Sequence, residues 1–232
     1  MTHTSPATIQ QRIDAIRADI RNTCAHAGVP ENQPRLIAVS KVQPDDRIEA
    51  ALAAGHRIYG ENRVQEAASR WQDRRAAYPD LHLVLIGGLQ SNKVADAVAL
   101  FDEIQTVDRP RIARRLKKEM DAQQRPLPVM IQVNTGEEEQ KTGVVPADLP
   151  DLLALCHDEL GLDVTGLMAI PPVDDEPALH FALLKKLKER HGLARLSMGM
   201  SGDYATAAAM GSDDIRVGTA FFGPRETDTA RP

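Results

Sequence analysis

The sequence predicts an α/β chain folded as a single closed (β/α)8 barrel with one extra helix at its amino terminus. Three observations carry that prediction. Short apolar runs alternate with helical stretches along the chain, the pattern of parallel strands joined by right-handed crossovers. Eight such runs fit within 232 residues, which suits a closed barrel better than an open sheet. No Gly/Ser tract, low-complexity run or long charge block interrupts the alternation, so residues 1–232 read as one domain.

The elements follow in order. Ile9, Ile13, Ile16 and Ile20 recur at helical spacing and form one apolar stripe, so the first helix runs from about Pro6 to Gly28. Ser5 suits its cap and Pro6 its first turn. Leu36 to Lys41, bounded by Pro34 and Pro44, is the first strand, buried on both faces. A helix from Asp45 or Asp46 to Ala54 closes on Gly55. Further strands are expected at 57–60, 81–87, 103–107, 128–134, 164–170 and 195–198, and the run Ile215 to Phe222 begins as the eighth. Between them lie helices at 62–77, 91–101, 110–123, 148–160, 177–191 and 202–210. The chain ends too soon after strand eight for a full eighth helix, so the amino-terminal helix is expected to cover part of that gap. The result is a TIM-type barrel.

Composition narrows the function classes. A formal charge of −5 leaves no basic footprint for nucleic acid. The locally basic stretch Arg111 to Lys118 carries Ile112, Ala113 and Leu116 on one side, as a solvated helix face would. Aromatic residues are too scarce for stacking on bases. Cys24 and Cys156 have no partner pattern, and no signal peptide or apolar span is evident, which suggests a soluble chain in a reducing cytoplasm with no membrane contact. The seven histidines are scattered, and none forms a metal-ligand pair.

In a barrel the functional side chains lie just after each strand. Lys41 follows the first strand. It reads either as a side chain reaching into solvent or as a desolvated amine able to form a Schiff base with an aldehyde. Asn62 and Gln65 follow the second, as helix-start groups or as lining of the barrel mouth. After the third come Gly87 and Gly88, then Ser91 or Asn92 as a helix cap. Residues 137–143, after the fifth strand, form an acidic loop that reads as solvated. Met168, Ala169, Ile170 and Pro171 either wall an apolar ring or fill the core. The strongest chemistry is at strands seven and eight. Ser201 is placed to cap the helix that follows, where its hydroxyl and the next N–H groups suit a phosphate. Arg216-Val217-Gly218-Thr219 follows, with Gly218 letting amides approach an anion. A phosphate on one side of the mouth and an amine on the other fit a compound with both a phosphate and an aldehyde. Pyridoxal 5′-phosphate is the cofactor that matches.

Several stretches together resemble a known family. They are Ala38 to Lys41, Gly60-Glu61-Asn62 with Val64-Gln65-Glu66, Ile86-Gly87 with Leu89 to Lys93, Gly166-Leu167-Met168, Ser197 to Ser201, and Arg216 to Thr219. In this order they are similar to the pyridoxal phosphate homeostasis proteins (the YggS/PROSC family), themselves similar to the amino-terminal barrel of alanine racemase. The resemblance runs nearly end to end. It implies a covalent Schiff base on Lys41, and phosphate contacts from Ser201 and the backbone of Gly218 and Thr219. It also implies Arg216 facing the pyridine nitrogen, with Asn62 and Met168 close to the cofactor. Arg63 stands where the family often has an aromatic residue, and Leu83-Val84 where it has a Trp-His pair.

The resemblance further implies a protein that holds, buffers and delivers pyridoxal phosphate without turnover. Apo pyridoxal phosphate enzymes would be its acceptors, and it is expected to be a monomer. One physical argument agrees. Arginine is a donor only, so a pyridine nitrogen facing Arg216 must accept and stay unprotonated. The ring is then a weaker electron sink, although alanine racemase tolerates the same arrangement. The alternative is an amino-acid racemase, which needs a base on each face of the substrate Cα. Lys41 would serve one face. In alanine racemase the other base comes from a second domain across a dimer, and this chain ends without one. Tyr59, Tyr78 and Tyr204 are its only tyrosines. A third reading is a Schiff-base aldolase acting on a phosphosugar with no cofactor.

Overall fold

The computed structural model describes residues 4–224. Eight parallel strands close into a barrel in sequence order, with the last hydrogen-bonded to the first. They are β1 (Arg35–Val39), β2 (Ile58–Glu61), β3 (His82–Leu85), β4 (Glu103–Val107), β5 (Val129–Val133), β6 (Val164–Ala169), β7 (Arg195–Ser197) and β8 (Asp214–Val217). The helices are α1 (Pro6–Ala27), α2 (Asp45–Ala53), α3 (Val64–Ala77), α4 (Val94–Leu100), α5 (Pro110–Ala122), α6 (Leu149–Ala154), α7 (Pro177–Arg190), α8 (Tyr204–Ala209) and α9 (Thr219–Phe222). This is the TIM-type architecture. Among the described residues no helix is long and apolar enough to cross a membrane.

The amino-terminal helix does what its stripe predicts. Ile9, Ile13, Ile16, Ile20 and Cys24 are buried, and α1 packs on α2, α8 and α9, covering the wall beside β8 and β1. Ser5 Oγ accepts from the Thr8 N–H at 3.2 Å, and Gly28 closes the helix at φ +66. Arg12 donates to the Phe222 carbonyl, tying α1 to the end of α9. In α5, Ile112, Ala113, Leu116 and Met120 are buried and the basic side chains face outward.

Two cores flank the sheet. The large one lies between strands and helices. A small one inside the barrel joins Ile37 and Val39 of β1 to Val84 of β3 and Ile86, with Ile58 packed against them. Gly60 belongs to this half because a Cβ there would stand 2.8 Å from Ile37 and 2.9 Å from Ile86. The opposite half of the interior is polar. Glu103, Gln105, Ser197, Asp214 and Arg216 are all buried there and hydrogen-bonded to one another. The unshared cost of a buried charge is what forces this pairing.

Several expected boundaries move. The first strand stops at Val39, and Lys41 sits in the turn beyond it. The helix at 202–210 starts only at Tyr204. The eighth strand ends at Val217 and the chain turns into α9, so Thr219 to Phe222 are helical rather than extended. Phe221 and Phe222 are buried against the helical layer, and that packing overrides their strand propensity. The helix at 148–160 is α6 followed by a π-wound turn at Leu155–Glu159. Residues 91–101 open with a 3-10 turn at Ser91–Lys93, and neither Ser91 nor Asn92 acts as its side-chain cap. The acidic loop is not wholly solvated: Asn134 Nδ2 donates to the Glu138 carbonyl at 2.8 Å, and Lys141 pairs with Glu138 at 2.5 Å.

Candidate functional site

A cavity of about 290 Å3 opens at the carboxyl ends of the strands, close to the lower limit of ordinary ligand sites. Lys41 reaches it from the turn after β1, Asn62 from the end of β2, and Arg216 from β8. Ser201 enters from the loop after β7, while Gly218 and Thr219 enter from the start of α9. Val39, Ile86 and Ile170 supply apolar wall. Six of the seven residues singled out from sequence therefore line one space. Met168 does not. It is fully buried on β6, and Ile170, two residues further along the same strand direction, lines the cavity instead. Period-two alternation places both on one face of the strand, with Met168 a layer deeper.

Ser201 plays a different part from the one its position suggested. It does not cap α8, whose preceding residue is Asp203, with Asp203 Oδ1 accepting from the Met200 N–H at 2.5 Å. Instead Ser201 Oγ accepts from the N–H of Gly218 at 3.2 Å and of Ala220 at 3.3 Å. The hydroxyl and the first amides of α9 thus meet at one end of the cavity, where N–H groups favour an anion. At Gly218 a Cβ would meet nothing closer than the Val39 carbonyl oxygen at 3.6 Å, so protein packing alone does not demand glycine.

Arg216 is buried and fixed at two points. One amino group donates to Ser197 Oγ at 2.6 Å and the other to the Ala169 carbonyl at 2.8 Å. Ser197 in turn donates to Gln105 Oε1 at 2.6 Å, so its lone pairs face the guanidinium. Burial pushes the Arg216 guanidinium down to about 10, against the opposing pull of Asp214 and Asp203. With no carboxylate hydrogen-bonded to it among the described residues, the group keeps donors for a ligand acceptor. Asn62 Oδ1 is buried with no hydrogen-bond partner among the described residues. An orphaned buried acceptor in a cavity wall fits a ligand that brings a donor. A primary amine, a cluster of anion-seeking amides, a donor-only cation and an amide side chain match an aldehyde, a phosphate, a ring nitrogen and a ring hydroxyl. The donor set fits pyridoxal 5′-phosphate.

Sequence reasoning missed Gln43, which is buried and lines the same cavity, and Met200 on its rim. It also missed Ser197 and Gln105, which hold Arg216 from below. Alternation along β7 and β8 carries the signal for Ser197, since it pairs in register with Asp214 and faces the interior. None of the three tyrosines lines the cavity. Tyr59 is buried on the outer face of β2, against Trp71 and His56.

Residues 12–226 match the model of the alanine racemase amino-terminal domain. The pyridoxal phosphate homeostasis protein of Vibrio alginolyticus is 40% identical over 230 residues, covering 95% of this chain and 99% of that protein. PipY of Synechococcus elongatus, solved without pyridoxal phosphate, is 36% identical and superposes with a TM-score of 0.81 over 93% of this chain and 100% of its own. The same protein solved with pyridoxal phosphate bound gives a TM-score of 0.70 over 90% of this chain and 100% of its own. Alanine racemase from Corynebacterium glutamicum shares the fold at 20% identity and a TM-score of 0.65, with 91% of this chain aligned to 62% of that one. On these grounds the chain belongs to the pyridoxal phosphate homeostasis protein family, whose barrel is that of the alanine racemase amino-terminal domain.

Proposed function

We propose that this chain binds pyridoxal 5′-phosphate at the barrel mouth, holds it covalently through Lys41, and buffers or delivers it within the cytoplasm. The observation that carries the reading is the convergence of Lys41, Asn62, Ser201, Arg216 and Gly218 on one cavity. When bound, the cofactor supplies an aldehyde: Lys41 Nζ adds to its carbon, the carbonyl oxygen leaves as water with the two amine hydrogens, and a C=N bond remains. No electron is gained or lost. Ser201 Oγ and the amides of Gly218 and Thr219 hold the phosphate by charge-assisted hydrogen bonds. Arg216 donates to the ring nitrogen and keeps it unprotonated, which disfavours carbanion chemistry and suits a carrier without turnover. Asn62 accepts from the ring hydroxyl, and Met168 backs the site from the layer beneath. Apo enzymes that use the same cofactor are the acceptors, and the carrier acts as a monomer.

The test is the absorption spectrum of purified protein with added cofactor, followed by borohydride reduction and peptide mapping. An adduct on Lys41 supports the reading, and an adduct confined to Lys93 or Lys141 refutes it. A chiral assay with alanine and other amino acids separates carrier from racemase; steady racemisation would refute the absence of turnover.

A further inference from the structure

We infer that Glu61 and Arg70 are positioning residues that clamp the turn carrying Lys41, and that a strained Val42 aims the amine into the cavity. This rests on Lys41 being the covalent anchor. The turn is tight: the Gln43 N–H donates to the Ser40 carbonyl at 3.1 Å, leaving Lys41 and Val42 as its two central residues. Val42 has φ +54, a region that the third position of such a turn normally reserves for glycine. It is β-branched and 66% exposed, so neither its own preference nor burial explains that backbone.

What holds the turn lies on the helix side of the sheet. Arg70 of α3 donates to the Ser40 carbonyl at 2.5 Å and to the Gln43 carbonyl at 3.2 Å, gripping both ends. The buried Glu61 carboxylate accepts from Ser40 Oγ at 2.7 Å and Trp71 Nε1 at 2.9 Å, and Arg70 stands 3.3 Å from the same oxygen. Lys41 and Val42 span the gap between gripped points. Glu61 ends β2 and Asn62 follows it, so the clamp also ties the lysine turn to the strand end that delivers Asn62. Strain at a ligand site persists only where surrounding contacts over-determine it, and here three hydrogen bonds from Arg70 and Glu61 do so. Neither Glu61 nor Arg70 lines the cavity, so each acts through Lys41 rather than on the ligand.

The test uses full-length protein and pyridoxal phosphate. The equilibrium constant for the covalent link is read from absorbance and borohydride trapping, with thermal midpoints alongside. Arg70→Met releases both ends of the turn, so the link constant falls about tenfold, as expected when about a tenth of molecules hold the competent pose. Val42→Gly leaves the clamp intact and puts glycine where the turn prefers it, so its link constant stays within about twofold of wild type. Its thermal midpoint holds or rises. Ser40→Ala, which removes the Glu61 grip, lowers the link constant in the same direction as Arg70→Met. On a Lys41→Ala background, Arg70→Met leaves non-covalent affinity unchanged, because the phosphate end is untouched. Should Arg70→Met fail to fold, Ser40→Ala carries the test. A wild-type adduct on another lysine would sink the anchor assignment itself. An adduct on Lys41 with a link constant within twofold of wild type in folded Arg70→Met, or in Ser40→Ala where Arg70→Met does not fold, overturns the clamp alone. A tenfold fall of the link constant in Val42→Gly overturns it too, since glycine takes the same backbone and the clamp is untouched.

Discussion

Covalent and ionic anchoring sit on different residues of one cavity, so single substitutions should separate them. Lys41→Ala removes the amine and leaves the Ser201, Gly218 and Thr219 end intact. Its expected outcome is weak, reversible binding with no adduct after borohydride, read by titration and mass spectrometry. Ser201→Ala should do the reverse: the adduct still forms, and affinity falls by about 1–3 kcal/mol, the usual worth of a hydrogen bond to a charged group. The fall belongs at the upper end if the hydroxyl also orders α9, since it accepts from the N–H of both Gly218 and Ala220. Circular dichroism and the thermal midpoint separate those contributions. Arg216 is a third kind of residue. Its partners are a hydroxyl and a carbonyl, so Arg216→Glu would place a carboxylate where the guanidinium now donates. The ring nitrogen would then gain an acceptor and hold a proton. Nitrogen NMR of the loaded variant should show that protonation, together with slow transamination; an unprotonated ring in the same pose would remove Arg216 as its partner.

At the scale of elements, the ends of β2 and β3 approach closely at Gly87. A Cβ at Gly87 would collide with the Asn62 carbonyl and Cα, while the Gly87 carbonyl accepts from Thr106 Oγ1 at 2.9 Å. Gly87→Ala should therefore displace Asn62, costing about 1–3 kcal/mol of stability by overpacking and weakening cofactor affinity. Denaturant melts and cofactor titration measure the two effects. The same region shows what the sequence made legible. Strand–helix alternation gave all eight strands, and position just after a strand gave Lys41, Asn62, Ser201 and Gly218, whereas the roles of Arg216, which lies within β8, and of Thr219 came from the family resemblance. These depend on local periodicity, which a sequence displays directly. The role of Ser201 was not legible as a cap on α9. Its partner amides lie in a later loop, and only barrel closure brings the loops after β7 and β8 together. Whether Met168 walls the cavity or fills the core beneath it was not legible, because parity gives the face of a strand but not the depth along the barrel axis. The clamp on Lys41 depends on Arg70, in the middle of α3, where a helical arginine looks like any solvated one.

Across the whole molecule, one hydrogen-bonded chain runs down the barrel from the cavity to the amino-terminal ends of the strands. Arg216 donates to Ser197, Ser197 to Gln105, and Gln105 Nε2 to Glu103 and Asp214, each at 2.8 Å. Arg35 and Arg195 then pair with both carboxylates. Burial by itself would raise the Glu103 carboxyl, but the His82 contact, the Arg35 charge, the Gln105 hydrogen bond and Arg195 outweigh it and lower it from 4.5 to about 2. The unfolded chain then takes up this proton first as pH falls. Stability from Glu103 is thus fully present above about pH 4.5 and is lost as pH drops toward 2. That difference corresponds to roughly 3 kcal/mol. Glu103→Gln should lower the stability near neutral pH by about 3–5 kcal/mol, because two arginines keep only Asp214 as a charged partner. It should also flatten the acid limb of the stability curve. Denaturant melts of both proteins from pH 7 down to 2.5 decide it: parallel curves, with the same slope below pH 4.5, would mean that Glu103 is not the carboxyl whose protonation loosens the barrel.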